Sequence, residues 1–380
     1  MVGRLSRLRR TLALPLLALG VAVFGLAPGD AIAKKDRDAV WEVKKKLYGQ
    51  PDESDPDDIT ASDKSDDVSG IACATETGFP RICMIADDEA QGAQIVILND
   101  GMLRAGTFIR LTKAMDGKTP LELDAEGVAF ADGAFYVIGS HGRPRHAPTD
   151  PKAEAGSRIR AEATRHLFRI RFDLDRVDLD TGRIADKAQI DETGKLVEIT
   201  GTSNLTKFIQ DQPALKPFYD RPLELGGLTI EGVAVKGGRL HAGLRGPLLD
   251  DGKAAILSVP LRDLFEGKAG SGRLDSVWLG SDSRDKARGV RDLVALPDGF
   301  LILAGPGQDP DDDKVEDGDY TVFRWNGTDA PKRGFDLDGY GKKTKPEALV
   351  PLDRDGSRMR ILVLFDGPKE GGPRAIEIPW

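Results

Sequence analysis

Short apolar runs, each closed by a turn signal, recur along the chain from Asp67 onward. One unit appears five times, opening on Ser69-Gly70-Ile71-Ala72, Glu126-Gly127-Val128-Ala129, Glu231-Gly232-Val233-Ala234, Arg291-Asp292-Leu293-Val294 and Glu347-Ala348-Leu349-Val350. A turn follows each opening at a similar offset, as in Ala131-Asp132-Gly133 and Lys236-Gly237-Gly238. Asp-Gly and Gly-Gly pairs supply the positive φ that tight hairpins need. Second apolar runs come next, such as Ile82 to Ala86 and Phe300 to Ala304, and then third ones, such as Ala93 to Leu98 and His166 to Phe172. A fourth follows in some units, for example Asp275 to Leu279. Antiparallel units repeating every 56 to 60 residues or so predict an all-β fold, a single β-propeller with five recognisable blades.

One interval, from Glu126 to Glu231, is about twice the period. It has room for a sixth blade or for one long insertion, and it holds a helix-like segment around Ser203 to Lys216. The chain ends soon after a third strand, so a segment near Ile59 is expected to supply the last blade's outer strand and close the ring. The propeller domain spans residues 66–380. Residues 34–65 read as a partly disordered linker. Within it, Val40 to Tyr48 reads as a short amphipathic helix, and Pro51 to Asp67, dense in Asp, Ser and Pro, as solvated chain.

Residues 1–33 read as a signal peptide. Arg4, Arg7, Arg9 and Arg10 precede an uncharged run from Leu12 to Leu26, and Ala31-Ile32-Ala33 is a small-x-small cleavage site. The run is short for a permanent span, which needs about 20 residues. Arg9-Arg10 is a weak twin-arginine signal beside the general export reading. The mature protein is thus expected in the periplasm or outside the cell, with no permanent membrane span. Removing residues 1–33 takes away four arginines and one aspartate, and moves the net charge from −8 to about −11. So acidic a chain repels phosphate backbones, which argues against nucleic acid as a partner. The two cysteines, Cys73 and Cys83, flank a turn with Gly78 and Pro80 and are expected to form a disulfide in an oxidising compartment.

In a blade built from an antiparallel hairpin, the start of strand one and the end of strand two share a rim. That rim gathers Ser69, Glu126, Glu231, Arg291 and Glu347 with Asp87-Asp88-Glu89, Ser140-His141, Arg245, Gln308 and Asp366. Carboxylates brought that close must be paired, protonated or bridged by a metal. Glu126, Glu231, Glu347 and Asp88 are candidate Ca²⁺ ligands, Arg245 and Arg291 candidate anion-binding groups, and His141 the candidate general acid–base. Alternatively, Glu at the start of a repeat bonds the next blade's backbone and staples the ring. His241 is expected to be packed and His146 solvated. Asp309 to Asp319 lacks the regular alternation of a Ca²⁺ loop and reads as a solvated acidic loop.

Gly227-Leu228-Thr229-Ile230-Glu231-Gly232-Val233-Ala234, followed by Gly243-Leu244-Arg245-Gly246-Pro247, resembles the bacterial family called domain of unknown function 3616. Asp124-Ala125-Glu126-Gly127 with Gly139-Ser140-His141, and Arg288-Gly289-Val290-Arg291-Asp292-Leu293 with Ala304-Gly305-Pro306, look like other blades of that family. The resemblance runs over roughly residues 66 to 367. It implies a propeller similar in style to phytase-like esterases and lactonases, some of which bind Ca²⁺ through rim carboxylates. Two functions follow as expectations: a Ca²⁺-dependent phosphoester or lactone hydrolase, or a non-catalytic envelope propeller. The partner would be a small anionic ligand or another envelope protein.

Overall fold

The recurring apolar runs form five antiparallel sheets. The computed structural model describes residues 39–184, 196–268, 270–310, 312 and 314–380, so the expected signal peptide lies outside the described residues. Blade one contains β1 (Glu42–Lys44), β2 (Val68–Cys73), β3 (Arg81–Asp87), β4 (Gly92–Asn99) and β5 (Met102–Arg110), in the order β1-β5-β4-β3-β2. A small hairpin, β6 (Met115–Asp116) and β7 (Thr119–Pro120), leads into blade two. That blade has β8 (Ala125–Ala131), β9 (Ala134–Gly139), β10 (Leu167–Arg171) and β11 (Glu198–Thr202). Blade three has β12 (Thr229–Lys236), β13 (Arg239–Gly246), β14 (Ala254–Pro260) and β15 (Arg273–Val277). Blade four has β16 (Arg288–Leu296), β17 (Gly299–Pro306), β18 (Thr321–Trp325) and β19 (Lys332–Asp336). Blade five has three strands, β20 (Lys345–Asp355), β21 (Arg358–Asp366) and β22 (Arg374–Pro379).

The first strands pack in a ring: β2 against β8, β8 against β12, β12 against β16, β16 against β20 and β20 against β2. Five apolar clusters hold the ring, one between each pair of neighbouring blades. A sheet buried on both faces by its neighbours reads as a continuous apolar run, which is why β4 and β17 show so little alternation. The hairpin turns adopt the expected backbone, with Asp132 and Gly133 at φ 50° and 69°.

The oversized interval is an insertion into and after blade two. Helix α1 (Pro151–Thr164) lies between β9 and β10, and α2 (Leu205–Gln210) lies between β11 and β12. Among the described residues there is no sixth blade.

The N-terminal segment departs from expectation. Val40 to Tyr48 is not a helix. Trp41 and Val43 follow the two-residue period of a strand, and both pack into the cluster between blades five and one, with Leu47 fully buried there. Strand β1 pairs in parallel with β5 of blade one, not with blade five. Blade five is reached just before it, where Trp41 donates to the Pro373 carbonyl at 2.7 Å and Val40 bridges Arg374. An N-terminal strand thus spans the seam, but it comes from residues 40–44. Ile59 lies in a 3-10 turn (Ile59–Ala61). Nor is Pro51 to Asp67 wholly solvated, since Ser62 and Ser65 are buried. Asp67 and Asp366 complete the seam as a backbone bridge.

Cys73 and Cys83 sit directly opposite each other on β2 and β3 and form the disulfide, with S–S 2.00 Å.

A second polar staple lies between blades four and five. Asp292 is buried; its Oδ2 accepts from the Leu349 backbone N–H at 2.8 Å and its Oδ1 from its neighbour Leu293 at 2.7 Å. The stapling role considered for the repeat's Glu therefore falls, in this blade, to the residue after the first position. Burial pushes this carboxyl up to about 7 against the two N–H donors that lower it. An unfolded aspartate loses its proton near ~4, so folding takes up a proton between pH ~4 and 7 and this contribution to stability falls across that window. Urea unfolding of wild type and Asp292→Asn at several pH values should show the wild type losing ground to the variant as pH rises. Parallel pH profiles would contradict the assignment.

Candidate functional site

Each first strand carries a β-bulge at the position where the sequence places its rim residue. The register shifts fall at Ser69 on β2, Glu126 on β8, Glu231 on β12, Arg291 on β16 and Glu347 on β20. A bulge adds one residue to a strand and re-aims its side chain. All five of these side chains line one cavity of ≈ 560 Å³ at one end of the ring. In blades one to three the following residue is glycine, and the strands leave no room for more: a Cβ on Gly232 would lie 2.8 Å from the Leu293 nitrogen.

From the ends of the second strands, Asp88, Ser140, Arg245 and Asp366 join the lining. The blade-two insertion adds Arg143, Arg145, Arg160 and Leu223. Arg143 is anchored by Glu154 at 3.0 Å and Ser157 at 2.8 Å on α1, so the helix holds that part of the mouth.

Charge divides the cavity into two walls. On one wall, Arg291 Nη1 meets Glu231 at 2.8 Å, while its Nε donates to Glu347 at 2.9 Å and its Nη2 to the other Glu347 oxygen. Arg245 Nη1 donates to Glu231 at 3.0 Å, its Nε faces the Pro306 carbonyl at 3.3 Å and its Nη2 pairs with Asp309. Asp309 also pairs with Arg145. The result is an alternating chain, Glu347–Arg291–Glu231–Arg245–Asp309–Arg145. Burial raises the Glu347 carboxyl to about 7 in spite of Arg291, while Glu231 and Glu347 hold the Arg291 guanidinium protonated.

On the other wall stand Asp88, Asp124 and Glu126, each offering an oxygen within 4.8 Å of the others. The Asp124 N–H donates to the Asp88 carbonyl at 3.0 Å, which ties the two blades together beneath the group. Asp124 adopts φ 53°, and Ser140 Oγ donates to its Oδ2. Asp88 Oδ1 is buried without a hydrogen-bond partner among the described residues. Burial, followed by repulsion from Glu126, raises Asp88 well above the carboxylate range; burial, followed by Glu231 and Asp124, does the same to Glu126. Such a site binds protons or a cation.

The rim read from sequence therefore assembles, but its members separate. Asp88 and Glu126 come together with Asp124. Glu231 and Glu347 are committed to arginines, and Arg245 and Arg291 are committed in turn to carboxylates. His141 does not reach the cavity: its ring is fully buried, Nδ1 lies 2.9 Å from the Gly139 carbonyl, and burial lowers its pKa to about 4. Proton transfer is therefore not assigned to it. His241 packs on Phe300 with ring centroids 4.9 Å apart, and His146 is exposed, as expected. The acidic loop reading of Asp309 to Asp319 needs correction. Asp309 belongs to the ion chain, and Asp319 is fully buried, accepting from Ser283 Oγ at 2.6 Å. Asp124 could have been found from its place two residues before Glu126. Nothing local in the sequence marks Asp309 or Arg145.

The model of the family described as "Protein of unknown function (DUF3616)" matches residues 67–375. The chain belongs to this family. No curated protein matches it. Among solved structures, the chain is similar to an exo-beta-1,3-galactanase from Phanerochaete chrysosporium bound to beta-1,3-galactotriose (7% identity, TM-score 0.38, 90% of this chain). This chain spans 64% of that galactanase's length. It is similar also to the PQQ-bound aldose sugar dehydrogenase of Streptomyces coelicolor (14%, TM-score 0.34, 83% of this chain and 94% of that one). A third is the alpha-L-arabinofuranosidase of Podospora anserina in complex with cellotriose (10%, TM-score 0.37, 90% and 97%).

Breaking a buried ion pair from one side leaves an uncompensated charge and costs about 3–5 kcal/mol, whereas exposed pairs contribute ~1 kcal/mol or less. Glu231→Gln should accordingly lower unfolding stability by roughly 3 kcal/mol, and Arg360→Gln, which pairs near the surface with Asp353 and Asp100, by under about 1 kcal/mol. Equal losses in chemical denaturation would contradict the chain of buried pairs.

Proposed function

We propose that this DUF3616 protein is an exported, divalent-cation-dependent hydrolase of a small phosphoester or lactone, with Ca²⁺ held by Asp88, Asp124 and Glu126. The observation that carries the reading is the convergence of these three carboxylates with no salt bridge to a cation among the described residues, in a cavity where Glu231, Glu347 and Asp309 are already paired with arginine. The donor set is all oxygen, which suits a hard cation, and the buried unpartnered Asp88 Oδ1 is an acceptor that a cation would satisfy. Glu231 and Glu347 leave the metal set because each already faces arginine. Export rests on residues 1–33 and accords with the Cys73–Cys83 disulfide.

When bound, a divalent cation would polarise a carbonyl or phosphoryl oxygen and activate a water. The chain's own residues supply the rest. Ser140 orients Asp124, the bulge at Glu126 turns its carboxylate into the cavity, and the ion chain from Glu347 to Arg145 fixes the facing wall. A second reading, a propeller that binds its ligand without reaction, is favoured by one observation: among the described residues no histidine lines the cavity.

Calorimetric titration with Ca²⁺ tests the proposal. The mature protein should bind with Kd about 0.1–1 mM, the range of extracellular Ca²⁺ modules. Asp88→Asn or Glu126→Gln should weaken binding at least about tenfold, and removing Ca²⁺ with a chelator should abolish hydrolysis. Undiminished binding in both variants, or no binding by the wild type, would defeat it.

A further inference from the structure

We infer that the cavity takes an uncharged, polyhydroxylated molecule, a sugar-like polyol or its lactone, and rejects the phosphoester that the same hydrolytic chemistry would accept. This rests on the cation reading of Asp88, Asp124 and Glu126 and narrows its substrate.

The first argument is charge. Nine carboxylates line the cavity against six arginine and lysine side chains. With all nine ionised, one divalent cation leaves the lining one charge negative, so above pH about 7, where burial no longer keeps Glu122 and Glu347 protonated, an anion approaching the mouth meets a negative field. The second argument is that the buried guanidinium groups are committed. All three nitrogens of Arg291 face Glu231 or Glu347, and those of Arg245 face Glu231, Asp309 and the Pro306 carbonyl. Both arginines are 5% exposed. Arg143 Nη1 and Nη2 are bound to the Asp220 carbonyl, Glu154 and Ser157. A phosphate could claim Arg245 or Arg291 bidentately only by displacing a buried carboxylate, and is otherwise left with arginines nearer solvent such as Arg160.

What the cavity offers in surplus is acceptors. A hydroxyl group donates to a carboxylate through its hydrogen and coordinates a cation through its oxygen, so adjacent hydroxyls suit both demands at once. Three carboxylates leave Ca²⁺ short of its usual six to eight or so oxygens, and neutral oxygens complete that shell without adding charge. Among the described residues the lining has no aromatic ring on which a base or an aromatic ligand would stack. Its volume, ≈ 560 Å³, accommodates a small ligand. For a lactone the chemistry balances. Water adds to the carbonyl carbon, the ring C–O bond breaks, the ring oxygen takes a proton, and a hydroxy acid forms. That acid then ionises, and the negative cavity expels it.

Matched pairs of probes, each sugar with and without a phosphate, test this. Saturation-transfer NMR would compare D-glucose and D-galactose with their 6-phosphates, each with Ca²⁺ and with chelator. At least one neutral sugar should bind in Ca²⁺, lose binding in Asp88→Asn and Glu126→Gln, and exceed its phosphate at least about tenfold in affinity. Tighter binding of the phosphates, or silence of both neutral sugars while Ca²⁺ itself binds, would overturn the inference and leave the cation site standing. Neutral-sugar binding that persists in chelator and in both variants would uphold the ligand class and remove the cation from it.

Discussion

The arrangement at the mouth of the ring depends on one backbone device, the bulge that each first strand carries at its rim residue. Without the extra residue, strict alternation would carry Glu126 or Glu231 to whichever face the rest of the strand dictates. With it, the apolar residues further along β8 and β12 keep their places between blades, while the rim residue turns inward. The bulge separates the packing problem from the site problem. The same repeat can therefore be an apolar core along most of its length and a cluster of charges at its end.

Bringing five such positions together creates an electrostatic problem that the protein solves in two ways. Across blades three to five, arginine at the first position of blade four and at the end of β13 interleaves with glutamate, and the buried charges neutralise one another. Across blades one and two the corresponding positions hold Ser69, Glu126 and Asp88, with Asp124 beside them, and no arginine is interleaved. Desolvation there is answered by high proton affinity. A stable scaffold would need only the first solution. Retaining the second at the same rim is the feature that the functional proposal rests on.

The blades were legible in the sequence because each repeats its apolar runs and its turns, and these depend on local chemistry. The rim residues were legible for the same reason, as they hold a fixed place in the repeat. Their pairing was not. Arg291 meets Glu347 56 residues away and Arg245 meets Asp309 64 residues away, so partners come from the next blade and depend on its register. His141 shows the complementary error. It adjoins the rim residue Ser140 in sequence, but φ 57° at His141 turns its ring into the interior. The N-terminal strand was missed because Val40, Val43 and Leu47 fit a helical period as well as Trp41 and Val43 fit a strand. Only the seam between blades five and one decides between the two.

The fold and the divided rim thus yield a cavity with one neutralised wall and one that, among the described residues, has no salt-bridged counter-charge. Anomalous diffraction from crystals of the mature protein grown with Mn²⁺, a stand-in for Ca²⁺ at oxygen sites, tests that division most directly. The account predicts a single strong peak in the cavity, between Asp88, Asp124 and Glu126. A cavity without a peak, or a peak between Glu231 and Glu347 with the arginines swung away, would contradict it.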